Sequence, residues 1–241
     1  MQKFVIGDIH GGLKALIQVL KKIKISEKDL LIFLGDYVDG WSESPEVINY
    51  LITLKDKYNC IFIKGNHDDL LLNYLKTKSF NKEWLIHGGS STIKAYEKIN
   101  LDTINKHISF LESLKEYFID EDNRLYIHAG FTNQKGVEYE YFKPSFYWDR
   151  TLWETAISLN PNISFDDILY PNRLKIYKEI YIGHTPVTKI NKTTPHQASS
   201  VWNVDTGAAF TGSLSILNVD TKEFWQSDSL PLLYPNEKGR N

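Results

Sequence analysis

Six side chains able to bind cations or move protons stand in one kind of place in this sequence. Asp8, His10, Asp36, Asn66, His128 and His184 each follow closely on a short apolar run, beside or near a glycine. The central run, residues 30–40, reads Leu-Leu-Ile-Phe-Leu-Gly-Asp-Tyr-Val-Asp-Gly and delivers Asp36 and Asp39 at its end. Carboxylates, imidazoles and an amide gathered outside strand ends are what a site for two divalent cations requires. Hard oxygens mixed with imidazoles favour manganese, iron or zinc over magnesium or calcium, and without a thiolate the set is not that of a structural zinc. A single Asp or Asn after a strand is ordinarily a turn former. Six such residues in one chain outweigh that explanation.

Positioning these groups takes strands that end at a common rim. Residues 3–7, 30–35 and 60–65 read as buried strands, too short for membrane spans, each followed by a helical pattern. Leu13, Leu16, Ile17 and Leu20 recur at helical spacing; Ser44-Pro45-Glu46 opens a second helix with Ser44 as its cap, and Asp68-Asp69 begins a third. Strand alternating with helix predicts parallel strands joined by crossovers. Residues 80–116 are expected to be helical, broken at Gly88-Gly89, forming a cap that shapes substrate access. A hairpin is expected about Glu121-Asp122-Asn123, a strand over residues 179–183, and antiparallel strands over residues 201–204, 214–219 and 223–226. The expected fold class is α/β, a layered sandwich of two mixed β-sheets flanked by helices, with a helical cap segment. With no linker-like stretch and no repeat, residues 1–241 read as one domain.

Of the 241 residues, 42% are hydrophobic and 13% aromatic, enough for a core of normal size. A net charge of -2 argues against a nucleic-acid polymer as partner, since such binders neutralise phosphates with a basic face. Any phosphate bound here needs local charge, which metals would supply. Cys60 is the only cysteine, so an intramolecular disulfide is excluded and the residue reads as a buried, inert thiol. Met1 leads directly into a strand pattern with no leader or membrane anchor, and the expected location is cytoplasmic.

Gly7-Asp8-Ile9-His10-Gly11, Gly35-Asp36-Tyr37-Val38-Asp39, Gly65-Asn66-His67-Asp68, His128-Ala129-Gly130 and Gly183-His184-Thr185 follow one another in this order. Together they resemble the motifs of the calcineurin-like metallophosphoesterases, specifically the phosphoprotein phosphatase branch. Within that branch the resemblance is closer to short bacterial and phage protein phosphatases and to symmetrical diadenosine tetraphosphatases than to the longer eukaryotic enzymes. Weaker shared signatures extend it to residues 84–96, Trp148-Asp149-Arg150 and residues 203–207.

The resemblance implies a phosphoester hydrolase with two divalent metal ions, manganese first, iron or zinc as alternatives. Asp8 and His10 would bind the first metal, Asn66, His128 and His184 the second, and Asp36 both. His67, oriented by Asp39, would donate a proton to the leaving oxygen, and Arg150 and Asn66 would hold phosphate oxygens. The implied nucleophile is metal-activated hydroxide, without a covalent phosphoenzyme. General chemistry agrees: paired cations about 3.5–4 Å apart clamp attacking and leaving oxygens. A carboxylate partner likewise fixes an imidazole's tautomer and favours the protonated form that can act as an acid.

Two positions depart from the family pattern. Where the family reads Gly-Asp-x-x-Asp-Arg-Gly, Gly40-Trp41 follows Asp39, so a phosphate-binding arginine is missing from the motif. Such a clamp contributes about 1.5–3 kcal/mol as a charge-assisted hydrogen bond. Lys64 is one substitute donor, and Trp41 could offer an aromatic surface at the cleft edge. Where the family reads Gly-Asn-His-Glu, Asp68 keeps the charge. His87 reads first as a helix-end cap and second as a cleft-rim residue, and His107 and His196 read as surface residues. The aromatics of residues 139–153 read as core or lid packing rather than a base-stacking platform, although Tyr147 and Trp148, next to Arg150, could line the cleft. The first functional reading is a serine/threonine protein phosphatase. The alternative is a bis(5'-nucleosyl)-tetraphosphatase or other nucleotide phosphohydrolase, and a non-catalytic binding module fits the intact His67 and Asp39 pair poorly. The substrate is then a phosphoprotein or a phosphorylated small molecule, with no membrane partner.

Overall fold

The computed structural model describes residues 1–240. Its first three strands, β1 (Lys3–Ile6), β2 (Leu30–Phe33) and β3 (Asn59–Phe62), pair in parallel. They are joined over one face by α1 (Leu13–Leu20) and α2 (Ser44–Lys57), and β3 runs on into α3 (Asn66–Thr77). Successive strand side chains point to opposite faces. Phe4, Ile6, Leu31 and Phe33 accordingly pack against the helices, whereas Val5 and Ile32 face the second sheet. The expected cap follows as α4 (Lys82–Trp84), a kinked turn (Leu85–Gly89), α5 (Ser90–Tyr96) and α6 (Leu101–Glu112). Gly88, at φ +103°, makes the break inside it.

The second sheet contains β4 (Tyr117–Ile119), β5 (Arg124–Ile127), β6 (Glu179–Ile182), β7 (His196–Ala198) and β8 (Val201–Asn203), in the order β4-β5-β6-β8-β7. Between β5 and β6 lie α7 (Ser145–Trp148) and α8 (Thr151–Ser158), whose Leu152, Trp153 and Ala156 cover the outer face. The chain then returns to the first sheet as β9 (Ser215–Asn218), antiparallel to β1, and β10 (Phe224–Gln226), before α9 (Leu230–Leu233). Two mixed five-stranded sheets are therefore packed face to face between helices. Tyr126 and Tyr181 stack at 5.0 Å in the layer between them, with Val5, Ile32 and Leu217. No helix among the described residues is long and apolar enough to cross a membrane.

Several local expectations are corrected. Residues 201–226 do not form one antiparallel set: β8 pairs in parallel with β6, while β9 and β10 belong to the other sheet. Residues 183–200 are long enough for the crossover that a parallel pair needs, so adjacency in sequence misreads the partner. Ser44 is the first residue of α2 and not its cap; Glu43 holds that position. The buried Ser44 hydroxyl instead accepts from Asp39 N at 3.1 Å. The helix expected from Asp68 begins two residues earlier at Asn66, with Gly65 as its cap. His107 is buried, and His196 is half-buried against the Trp153 ring. Cys60 is half-buried, and burial pushes its thiol up to about 12, which agrees with an inert thiol.

Candidate active site

The parallel strands of both sheets end at the same rim. Asp8 and His10 follow β1, Asp36 and Asp39 follow β2, Asn66 and His67 open α3 after β3, and His128 and His184 follow β5 and β6. The loops are knitted to one another: Ile9 and His10 donate backbone N–H groups to Asp36 O at 3.0 and 2.9 Å, and Trp41 N donates to His10 O at 3.0 Å. His10, Asp36, Asp39 and His184 all lie in the left-handed region, at φ +52°, +53°, +72° and +66°. Such backbone is uncommon for residues other than glycine and collects where a fold holds functional groups against strain. Close approach explains two glycines. A Cβ at Gly65 would stand 2.2 Å from Asp36 Oδ1, and one at Gly183 would stand 2.0 Å from Asp8 Oδ1.

The donor atoms converge. His10 Nδ1–H points to Val38 O and Asp39 O, both at 3.1 Å, which leaves Nε2 free, 3.5 Å from Asp36 Oδ2 and 3.8 Å from Asp8 Oδ2. His128 Nδ1–H donates to Leu34 O at 2.8 Å, leaving Nε2 3.4 Å from Asp36 Oδ2 and 3.3 Å from Asn66 Oδ1. Asn66 Oδ1 also faces His184 Nδ1 at 3.0 Å. Two buried groups of potential ligands result, one of His10, Asp36 and His67 and one of Asp36, His128 and His184, and Asp36 is common to both.

Electrostatics and unmet hydrogen bonding show that these residues fit divalent cations. Burial and the neighbouring Asp205 raise the Asp8 carboxyl well above its usual range, and Asp8 Oδ1 has no hydrogen-bond partner among the described residues. Burial lowers His10 and His184 well below the usual imidazole range, keeping them neutral as a ligand must be. Burial opposes charge on the central pair too, yet His128 is pushed up to about 10 by Asp36, and Asp36 is held well below the carboxylate range chiefly by His128 and His67. A cation can take the place of the proton that otherwise satisfies this crowd of lone pairs.

His67 is set differently. Its Nδ1 stands 2.6 Å from Asp39 Oδ2, which also accepts from Trp84 Nε1 at 2.5 Å. Asp39 N is in turn anchored by Ser44 and Thr92 hydroxyls, each at 3.1 Å. Asp68 accepts from the backbone N–H groups of Asp36, Tyr37 and Gly65 at 2.8–2.9 Å, so the shortened acid ties the Asp36 loop to α3.

Above these groups lies a cleft of 220 Å³. It is lined by Asp36, Asn66, His67 and His184, by Trp84 and His87 from the cap segment, and by Trp148 and Arg150 from the segment between β5 and β6. Arg150 Nη1 donates to Thr185 Oγ1 at 3.1 Å. His87 lies at the helix break before Gly88, as expected, and lines the cleft, the second reading of this residue. Lys64 instead lies against Asp69 and the Tyr147 ring, and Trp41 is fully buried, so neither serves the cleft as expected.

Sequence reading missed three residues here. Asp205 follows β8 as Asp36 follows β2, and the same signal would have found it; burial raises it to about 6. Trp84 gave no sign of its bond to Asp39. Arg240, far along the chain, also lines the cleft.

A family model described as calcineurin-like phosphoesterase matches residues 1–210. Among curated proteins, an asymmetrical bis(5'-nucleosyl)-tetraphosphatase from Halalkalibacterium halodurans is 28% identical over 100% of this chain and 99% of its own length. Others of the same name match at similar identity. Serine/threonine-protein phosphatase 1 from Salmonella typhimurium is 23% identical over 90% of this chain and 91% of its own. Among solved structures, a metallophosphoesterase from Sphaerobacter thermophilus shares the fold at a TM-score of 0.54 and 15% identity, covering 95% of this chain and 88% of the other.

Proposed function

The chain belongs to the calcineurin-like phosphoesterase family and is an enzyme that hydrolyses phosphoesters; from that premise we propose that its substrate is a dinucleoside polyphosphate. The carrying observation is Trp148, 47% exposed on the cleft wall, two residues before Arg150 and edge-on to His184 at 6.3 Å. A flat ring beside phosphate-binding groups offers a stacking surface to a base. At 220 Å³ the cleft has room for reacting phosphates and little more, so nucleosides would lie along its rim. The relatives named as tetraphosphatases support this reading over the protein phosphatase, which one relative's name supports.

In this reading Asp8, His10 and Asp36 would hold one cation, and Asp36, Asn66, His128 and His184 the other. When bound, two divalent cations would supply positive charge for phosphate oxygens and lower the pKa of a water. Asn66, with Oδ1 turned to the imidazoles, leaves its NH₂ for a phosphate oxygen, and Arg150 grips another. His67, held through Nδ1 by Asp39, presents Nε2 as the position from which a proton reaches the leaving oxygen. Water adds to phosphorus through its oxygen and releases one proton to solvent, one P–O bond breaks, and the leaving phosphate takes the His67 proton. His67 is reprotonated from solvent, so that one water is consumed overall.

The test is a comparison of manganese-supplemented protein on diadenosine tetraphosphate and on phosphoserine and phosphothreonine peptides. The expected outcome is a kcat/KM at least about tenfold higher on the dinucleotide, equivalent to about 1.4 kcal/mol of transition-state preference. Products separate the two cleavages, since ATP with AMP marks asymmetrical attack and two ADP marks symmetrical attack. A preference for the peptides would restore the protein phosphatase reading.

A further inference from the structure

The Gly40-Trp41 departure and the cleft-lining Arg240 belong to one device. Residues 234–240 fold back over the loop that follows β2. Tyr234 stacks on Trp41 at 5.2 Å, Glu237 accepts from Ser42 N and Oγ at 2.9 and 2.8 Å, and Arg240 N donates to Ala209 O at 2.9 Å. Trp41 is itself pinned, its Nε1 donating to Ala208 O at 2.7 Å. Gly239, at φ +60°, packs where a Cβ would come within 2.7 Å of the Trp41 ring. The segment therefore docks on the tryptophan that stands where the family has glycine.

What the segment delivers is a guanidinium. A Cβ at Gly40 would stand 3.3 Å from Arg240 Cγ, and one at Gly88 3.1 Å from it, so the arginine stem runs through space that these two glycines leave open. Arg240 lines the same cleft as Asp36, His67 and Arg150. Its Nε is buried and has no hydrogen-bond partner among the described residues. The half-buried guanidinium lies over the Phe210 ring at 5.3 Å, and a buried Nε–H without an acceptor on a group that lines a site for phosphate is short of an anion. An arginine at position 40 could not take over without cost, because that backbone sits at φ +108° and its side chain would collide with the Arg240 stem.

We propose that Arg240 is a second phosphate-binding residue of this cleft, acting beside Arg150 and replacing the arginine missing after Asp39. The bidentate fork grips phosphate oxygens that do not react, so its contribution goes into substrate and product binding. The proposal rests on the phosphoester-hydrolase reading of the site, and names the residue that reads the phosphate within it.

The test is calorimetric binding of inorganic phosphate to the manganese-loaded full chain, compared with Arg240→Met and Arg240→Lys. Methionine keeps an unbranched stem in the groove and removes the donors. Arg240→Met should weaken phosphate binding about ten- to hundredfold, and KM for nitrophenyl phosphate should rise with it while kcat stays within a few-fold. Metal content and melting temperature should match the wild type, and Arg240→Lys should recover part of the loss. Unchanged phosphate affinity in Arg240→Met would overturn the proposal. So would a loss shared equally by both variants and accompanied by a lower melting temperature or lost metal, since the segment would then serve packing alone. A wild type that binds no phosphate overturns it as well. A wild type that binds phosphate through Arg240 but hydrolyses none of these esters leaves the clamp standing and removes the functional reading instead.

Discussion

His67 sits where two roles compete. Its atoms fall within a potential ligand group with His10 and Asp36, and the two imidazole rings lie 5.1 Å apart. Yet Nδ1 is committed to Asp39, which is itself fixed by Trp84, Ser44 and Thr92. Two side chains on one carboxylate oxygen, with two hydroxyls on the same residue's backbone N–H, suit a group whose orientation matters through a reaction. Asp8, whose Oδ1 has no hydrogen-bond partner among the described residues and whose Oδ2 stands 3.8 Å from His10 Nε2, is placed to complete the first cation's ligands. His67→Asn should therefore keep wild-type metal content while slowing turnover of an alkyl phosphate by about 10²–10⁴-fold, the range for a general acid. Nitrophenyl phosphate, whose leaving group needs little protonation, should be slowed far less. Metal analysis and paired kinetics decide it: loss of a cation makes His67 a ligand, and equal slowing of both esters removes the acid role. The motif order made this pair legible in the sequence, because each member follows its own strand closely. Arg240 was not legible, since nothing local to residue 40 or residue 240 signals that the two meet.

At the scale of helices, the cap is pinned to the core through a histidine rather than through apolar contact alone. His107 on α6 has Nε2 2.9 Å from Asn49 Oδ1 on α2, and Nδ1 2.8 Å from Tyr96 OH on α5. The neutral tautomer with hydrogen on Nε2 satisfies both, and burial accordingly lowers this imidazole to about 4. The sign follows from proton counting. The unfolded histidine titrates near 6.5, so between about pH 6.5 and 4 the unfolded state binds more protons and stability rises with pH. The contribution of His107 is complete above pH 6.5 and is lost as the pH falls through that window. Urea unfolding of metal-loaded wild type and His107→Gln at pH 7.5 and 5 should show a smaller acid loss in the variant, because glutamine offers an acceptor and a donor without titrating. An equal loss in both would place the acid sensitivity elsewhere. The sequence held the clue: Ile104, His107, Ile108 and Leu111 lie at helical spacing, so the histidine belongs to the inward stripe of α6. Charge alone made it look like a surface residue. The pairing of β8 was harder to foresee, since strand patterns report which faces are buried and say nothing about which strand lies alongside.

Across the whole molecule the two sheets are fastened at opposite ends by different chemistry. At the rim, Asp8, Asp36 and Asn66 from the first sheet meet His128 and His184 from the second. At the far end Lys3, on β1, donates to Asp120 Oδ2 at 2.8 Å and Glu121 Oε1 at 2.6 Å in the β4–β5 hairpin. Arg124 adds contacts to Glu179 at 3.0 Å and to Asp220, beyond β9, at 3.2 Å. Lys3 and Asp120 are both buried, with side-chain exposures of 5% and 0%, so removing Asp120 takes away the buried partner of Lys3 and leaves it the more exposed Glu121. Breaking such a pair costs about 3–5 kcal/mol, and the partial compensation by Glu121 should hold Asp120→Ala near about 3. Between the two ends stands the stacked layer of Tyr126 and Tyr181 with Val5 and Ile32. Lys3 opens β1 and Asp8 lies two residues beyond its end, a span of up to roughly 17 Å at strand rise. Perturbations that far apart should add to within about 0.5 kcal/mol. Chelation should then lower the unfolding free energy by the same amount in wild type and in Asp120→Ala, as read by urea titration with and without a metal chelator. A chelation effect more than about 1 kcal/mol larger in the variant would mean that the sheets slide on one another once the far fastening is cut, so that cation affinity depends on a contact at the opposite end of the sandwich.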